Sequence, residues 1–91
     1  MLFELRFTPK AQEDLSKLDR HLAGKIVDKI EYYVATGHPL RYSGKLKGAL
    51  EGLYRFRMGD YRAIFEIDGS GQINILVILK VKHRKEIYRF E

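Results

Sequence analysis

The chain opens on a short alternation of apolar and charged positions. From Leu2 to Phe7, Phe3, Leu5 and Phe7 fall on one side and Glu4 and Arg6 on the other, the two-residue period of a half-buried strand. Thr8 and Pro9 follow, a side chain suited to cap a helix and a proline suited to its first position. Ala11, Leu15, Leu18 and Leu22 then recur at helical spacing. A second stripe runs through Leu22, Ile26, Ile30, Tyr33 and Val34 until Gly37 and Pro39 end it. The break between the helices is expected near Asp19 to Ala23. Two amphipathic helices joined this tightly predict an antiparallel hairpin that lays its apolar stripe on a sheet, so the stripes are read as core.

Residues 38 to 52, with three glycines and a proline, read as a connecting loop, and from there the chain is strand until near its end. Gly59-Asp60 is a two-residue turn signal with glycine first, which suits type II′. It predicts the pairs Met58 with Tyr61, Arg57 with Arg62, Phe56 with Ala63, Arg55 with Ile64 and Tyr54 with Phe65. One face of this hairpin then collects Tyr54, Phe56, Met58, Tyr61, Ala63 and Phe65, and the other collects Arg55, Arg57 and Arg62. If Gly69 to Gly71 form a three-residue hairpin loop, Ile67 pairs with Ile73, Phe65 with Ile75, Ala63 with Val77 and Tyr61 with Leu79. Lys80 and Lys82 then join the arginine face. The fold class expected is α+β, in the order β-α-α-β-β-β, an antiparallel sheet packed on a two-helix hairpin with a short C-terminal segment.

Composition narrows the picture. The 91 residues make one domain, 1–91. The absence of cysteine excludes disulfides and thiolate metal sites, and Glu4 and Arg6 interrupt the first apolar run, so neither a signal peptide nor a membrane span is expected there. A cytoplasmic protein is expected. The net charge is +5, and residues 1 to 40 hold six bases against six acids, whereas residues 41 to 91 hold eleven against six. The whole excess therefore lies in the second half, which suits a polyanion such as nucleic acid, or an acidic protein that covers the basic face.

The cluster of Arg55, Arg57, Arg62, Lys80 and Lys82 on one sheet face opposes folding, since neighbouring cations repel by on the order of a few kcal/mol before screening. Either the face is solvated and its charges serve solubility, or a polyanion offsets the repulsion, with arginine gripping phosphate oxygens through two donors at once. No carboxylate cluster or histidine pair of metal-ligand spacing accompanies it.

"KLKG" at 45–48, "YRFRMGDYRAIFEI" at 54–67 and "HRKEIY" at 83–88, behind a strand and two helices, resemble the RelE/ParE superfamily of type II toxin–antitoxin toxins, on its RelE side. The resemblance covers essentially the whole chain. It implies a compact microbial-RNase-like fold that cleaves messenger RNA, in many members in the ribosomal A site, and that a RelB-like antitoxin neutralises by wrapping it. The implied reaction is attack of a ribose 2′-hydroxyl on the adjacent phosphorus, which needs a proton acceptor, cations at the phosphate and a proton donor for the leaving 5′-oxygen. The implied reaction needs no metal or other cofactor, in agreement with the lack of metal-ligand spacing on the basic face.

Carried over position by position, the resemblance gives Arg62 as the phosphate-stabilising arginine with Arg55 beside it. Arg57 and Lys82 stand where the family often has lysine and arginine respectively. Because arginine does not serve as a base, the identity of the general base stays open. His83 is the natural substitute, although strand parity points it toward the core unless the chain turns at once after Lys82. Tyr88 matches a family tyrosine that could exchange a proton or stack on a base. Arg84 and Lys80 are read as phosphate contacts, and Lys45 and Lys47 match a loop that presents basic side chains to RNA. Tyr32 and Tyr42 are possible stacking platforms, whereas Tyr33 is read as core. A ParE-like inhibitor of DNA gyrase and an inactive antitoxin-binding member are the rival functions. The joint presence of Arg62, Lys82, His83, Arg84 and Tyr88 favours the nuclease.

Overall fold

The computed structural model describes residues 2–87. Its elements are β1 (Phe3–Phe7), α1 (Pro9–Ser16), α2 (Arg20–Ala35), β2 (Ser43–Lys45), β3 (Tyr54–Met58), β4 (Tyr61–Asp68), β5 (Asn74–His83) and α3 (Arg84–Ile87). The strands form one five-stranded sheet in the order β1-β5-β4-β3-β2. The α+β architecture is as expected, with two differences in how the strands are arranged. β1 runs parallel to β5 rather than antiparallel, pairing Phe3 with Asn74 through Phe7 with Ile78. The stretch 38–52 is more than a loop, because Ser43, Gly44 and Lys45 pair with Phe56, Arg55 and Tyr54 as the far edge strand.

The helix ends follow their caps. Thr8 Oγ1 accepts a hydrogen bond from the Ala11 N–H at 3.1 Å and donates to the Leu79 carbonyl at 2.9 Å, so it both starts α1 and ties it to β5. Asp19 Oδ2 accepts from the N–H groups of His21 and Leu22. That cap starts α2 at Arg20, so the break covers Lys17 to Asp19, at the leading edge of the stretch expected. Gly37 ends the second helical stretch at φ +78°, a conformation that favours glycine.

Both stripes face the sheet. Ala11, Ile26, Ile30, Tyr33 and Val34 pack with Phe56, Ala63, Phe65, Leu76, Ile78 and Val81 as one core. Phe56 and Phe65 are fully buried and stack with ring centroids 4.2 Å apart, each burial contributing about 1.5–3 kcal/mol.

The β3–β4 hairpin has the register its turn predicts, from Met58 opposite Tyr61 to Tyr54 opposite Phe65. Gly59 has φ +62° and Asp60 does not have positive φ, which is the type II′ pattern. A Cβ built on Gly59 would meet nothing within 4 Å, so Gly59→Ala is expected to cost only the backbone penalty, about 1–2 kcal/mol. A thermal midpoint equal to that of the parent chain would contradict this reading of the turn.

The β4–β5 register differs from the expectation. Ile67 pairs with Leu76, Phe65 with Ile78, Ala63 with Val81 and Tyr61 with His83, with an irregularity at Ile64/Phe65. The loop is longer than Gly69 to Gly71 because Asp68 Oδ1 accepts from both the N–H and the hydroxyl of Ser70 and nucleates its own turn, which leaves Ile73 57% exposed. Leu79 is the extra residue between Ile78 and Lys80, and this bulge returns Lys80 and Lys82 to the arginine face despite the shifted register.

That face is not open water throughout. Ile64, which shares it, is fully buried with Leu46 and Ile87, and Leu50 and Leu53 pack against them. The segment between β2 and β3, together with α3, thus forms a second, smaller core over the middle of the sheet.

Candidate functional site

The turn at Gly59 sets Arg57 directly opposite Arg62, and β5 sets Lys82 opposite Arg62 from the other side. Three cations therefore form one row across β3, β4 and β5. The next row along places Arg55 and Lys80 on either side of Ile64. Like charges directly opposite each other in a sheet destabilise it, so what each cation touches decides what the row can do.

Arg62 is 7% exposed, and its Nη1 donates to the carbonyls of Gly59 at 2.8 Å and Tyr61 at 2.9 Å. No carboxylate among the described residues pairs with it. The guanidinium is thus held at one nitrogen by the turn while it keeps its full charge and its remaining donors. Arg57 is exposed and Arg55 half-buried.

Lys82 is engaged. Its Nζ lies 3.0 Å from Asp14 Oδ1. The same oxygen takes Lys10 Nζ at 2.9 Å, and Asp14 Oδ2 accepts from the Val81 N–H at 3.0 Å. Burial pushes the Asp14 carboxyl up, but the hydrogen bonds from Lys10, Val81 and Lys82 outweigh burial and hold its pKa below the ordinary aspartate value. Lys10, exposed, is raised by its hydrogen bond to Asp14.

His83 lies where strand parity points, opposite Tyr61 on the helix-facing side of β5, with the rings edge-on at 5.3 Å. Its Nδ1 accepts the Lys85 N–H at 3.2 Å, so the neutral ring carries its proton on Nε2. The fold separates it from the row of cations on the opposite face. Arg84 donates its backbone N–H to the Asp60 carbonyl at 2.7 Å and holds Nε 3.6 Å from Asp60 Oδ1, beside the β3–β4 turn. Lys45 and Lys47 are exposed and line a cavity of about 470 Å³ with Leu46 and Leu53. Tyr88 lies outside the described residues. Tyr33 is core, as read, while Tyr32 and Tyr42 remain accessible around it.

Two residues with consequences for the site were missed. Asp14 stands three positions after Ala11 and so belongs to the buried stripe, a signal that was present in the sequence. Arg41, beside Tyr42, lines a separate cleft with Arg55 and Arg57. Its only sequence mark was a basic and an aromatic residue adjacent in a loop.

Known proteins resemble this chain in sequence and fold. The family described as "ParE toxin of type II toxin-antitoxin system, parDE" matches residues 5–88. Toxin RelG of Mycobacterium tuberculosis is 35% identical over 89 residues, covering 98% of this chain and 99% of that protein. Among solved structures, the toxin–antitoxin complex RelBE2 of M. tuberculosis is similar with a TM-score of 0.79 and 32% identity, over 92% of this chain and 100% of the other. The RelB–RelE complex of Methanococcus jannaschii is similar with a TM-score of 0.67 and 27% identity, over 92% and 95%. A family match over residues 5–88, with a relative 35% identical over nearly the whole chain and a similar solved fold, means that this chain belongs to the RelE/ParE superfamily of type II toxin–antitoxin toxins.

Proposed function

We propose that this toxin is an endoribonuclease that cleaves messenger RNA on the ribosome and so inhibits translation, without a metal or other cofactor. The observation that carries the reading is the row of Arg57, Arg62 and Lys82, with Arg62 anchored by two backbone carbonyls and free of any described carboxylate. A donor fixed before the substrate arrives needs no reorganisation as charge develops, which is the condition for effective transition-state stabilisation.

In the proposed step the 2′-oxygen bonds to phosphorus as the bond from phosphorus to the 5′-oxygen breaks. The proton of the 2′-hydroxyl goes to a base, and the 5′-oxygen receives one, giving a 2′,3′-cyclic phosphate and a 5′-hydroxyl. Arg62 and Arg57 hold the non-bridging oxygens, and Arg55 and Lys80 the neighbouring backbone. Lys82, ion-paired with Asp14, adds positive charge to the row. Proton transfer is assigned to Tyr88, whereas His83, expected from the sequence to share it, stands on the helix-facing side of β5 and is set apart from the row. Lys45, Lys47 and Arg84 bind RNA outside the reacting bond. A RelB-like antitoxin is the proposed partner, since the similar structures from M. tuberculosis and M. jannaschii are toxin–antitoxin complexes. The cytoplasm, where ribosomes and messages are, is the proposed location.

Induction of the chain alone and with a candidate antitoxin, followed by primer extension on cellular messages, tests this. Cuts phased with codons, suppressed by the antitoxin, are expected. Intact messages with gyrase-dependent DNA breaks would identify a ParE-like inhibitor instead, and intact messages with intact DNA an inactive member.

A further inference from the structure

At the β2 edge of the sheet, Arg41, Tyr42, Ser43 and Gly44 form one wall of a cleft of about 350 Å³, and Arg55 and Arg57 form the other. Its size falls in the range of about 300–1,000 Å³ typical of small-ligand sites. The cleft exists partly because Gly44 has no side chain. Gly44 stands opposite Arg55, whose Nε would lie 3.9 Å from a Cβ at that position, so the guanidinium lies over the bare backbone.

Tyr42 closes the turn Pro39–Tyr42 just before β2 and is braced from within the protein. It stacks on Tyr33 with centroids 4.5 Å apart and planes 17° apart, and meets Tyr32 edge-on at 6.1 Å. Even so it stays 40% exposed and lines the cleft. A ring held in place from behind, still accessible, and set among guanidinium groups suits an unpaired base attached to a phosphate. Among the described residues no acid lines the cleft, and neither Arg41 nor Arg57 pairs with a carboxylate. An acidic protein segment would match the charge but would leave the presented tyrosine face without a use.

We infer that this cleft is a nucleotide subsite for single-stranded RNA, in which Tyr42 stacks on a base flanking the cleaved step and Arg41, with Arg57, holds its phosphate. Arg57 belongs both to this cleft and to the row with Arg62. Strand spacing puts β2 about 10 Å from β4, so the subsite adjoins the proposed reaction centre. The inference rests on the RNA-cleaving reading and adds to it the position of a neighbouring nucleotide.

Two measurements on the full chain test it. The first is fluorescence anisotropy with a short 2′-O-methyl RNA, which cannot be cut, and the second is cleavage of a message on programmed ribosomes. Arg41→Ala and Tyr42→Leu are each expected to weaken oligonucleotide binding about tenfold and to raise KM similarly, with little change in the saturating single-turnover rate. Arg41→Ala should also lower the slope of log K against log salt by about 0.7, the loss of one phosphate contact on a single strand. An abasic position in the oligonucleotide should erase the Tyr42→Leu effect, and Tyr42→Phe, which keeps the ring, should restore most of the affinity. Arg41 is exposed, so Arg41→Gln and Tyr42→Phe, checked by thermal melting, decide the matter if Tyr42→Leu folds poorly.

Parent-like binding and cleavage by the Arg41 and Tyr42 variants would overturn the subsite while leaving the nuclease intact. Variants that lose only antitoxin affinity would assign the cleft to an acidic protein segment and overturn it as well. A parent chain that neither binds nor cuts RNA would remove the nuclease reading itself, and this inference with it.

Discussion

Arg62→Ala is expected to abolish toxicity and to lower message cleavage about 10²–10³-fold, the usual loss when one pre-positioned donor to a developing oxyanion is removed. The size follows from what surrounds the residue. Arg62 sits between Arg57 and Lys82 in the cross-strand row, and Lys82 already divides its charge with Asp14. Arg57 is exposed and more screened, so neither neighbour replaces the buried, anchored guanidinium. The substitution also removes the hydrogen bonds to Gly59 and Tyr61, at a stability cost of about 1–2 kcal/mol. Loss of toxicity must therefore be read beside circular dichroism and a thermal melt showing the domain still folded. Arg62→Lys separates charge from geometry, because lysine keeps one positive charge and loses the fork. It should recover only a small part of the rate. Parent-level cleavage by a folded Arg62→Ala protein would remove this residue from the reaction and the row of cations from its central place.

What the sequence disclosed depends on how each element is specified. The β3–β4 register was legible because a two-residue glycine turn permits few geometries and because only one face of the hairpin collects large apolar side chains, with Ile64 the exception on the other. β5 offered no such guide. Ile73, Ile75, Val77 and Leu79 alternate with Leu76 and Ile78, so both parities are apolar and a shift is invisible to pattern alone. The side chain of Asp68, which lengthens the loop, decides the register instead. The cations were grouped on the correct face through a register that was wrong, because the bulge at Leu79 compensates for the slip over the N-terminal half of the strand.

The cover over Ile64 was hidden for a different reason. Leu46, Leu50 and Leu53 lie in a glycine-rich stretch with neither helical nor strand period, and their common purpose appears only once Ile87 is folded beside them. Ile64 itself, an isoleucine between Arg55 and Lys80 in its row, was the available clue that this face was not wholly solvated. His83 shows parity reasoning succeeding where the resemblance pulled the other way, since the side chain does share the Tyr61 side of β5.

The second large effect belongs to Asp14, whose carboxylate joins α1 to the C-terminal half of β5. Among the described residues no strand pairs with that edge of β5 beyond Phe7, and Asp14 Oδ2 accepts the Val81 N–H there, while Oδ1 holds Lys10 and Lys82. The side chain is 2% exposed. Removing it leaves a buried donor unsatisfied and an ammonium without its counterion, so Asp14→Ala is expected to cost about 2–4 kcal/mol, a drop in thermal midpoint on the order of 10–20 °C for a domain of this size. The pKa of Asp14 is depressed in the folded state, so its contribution is present above the unfolded aspartate pKa of about 4 and is lost as pH falls through the lower folded value. Lys10 is raised, so its contribution is present below its ordinary pKa of about 10.4 and fades as pH rises through the folded value. The parent chain should therefore lose stability on acidification below about pH 4, and Asp14→Asn should show a lower but flatter profile over the same interval. Unfolding by urea at a series of pH values measures both curves. Parallel curves for the parent and Asp14→Asn would mean that this carboxylate does not govern acid stability, and Lys82 would then need no counterion to hold its place in the row.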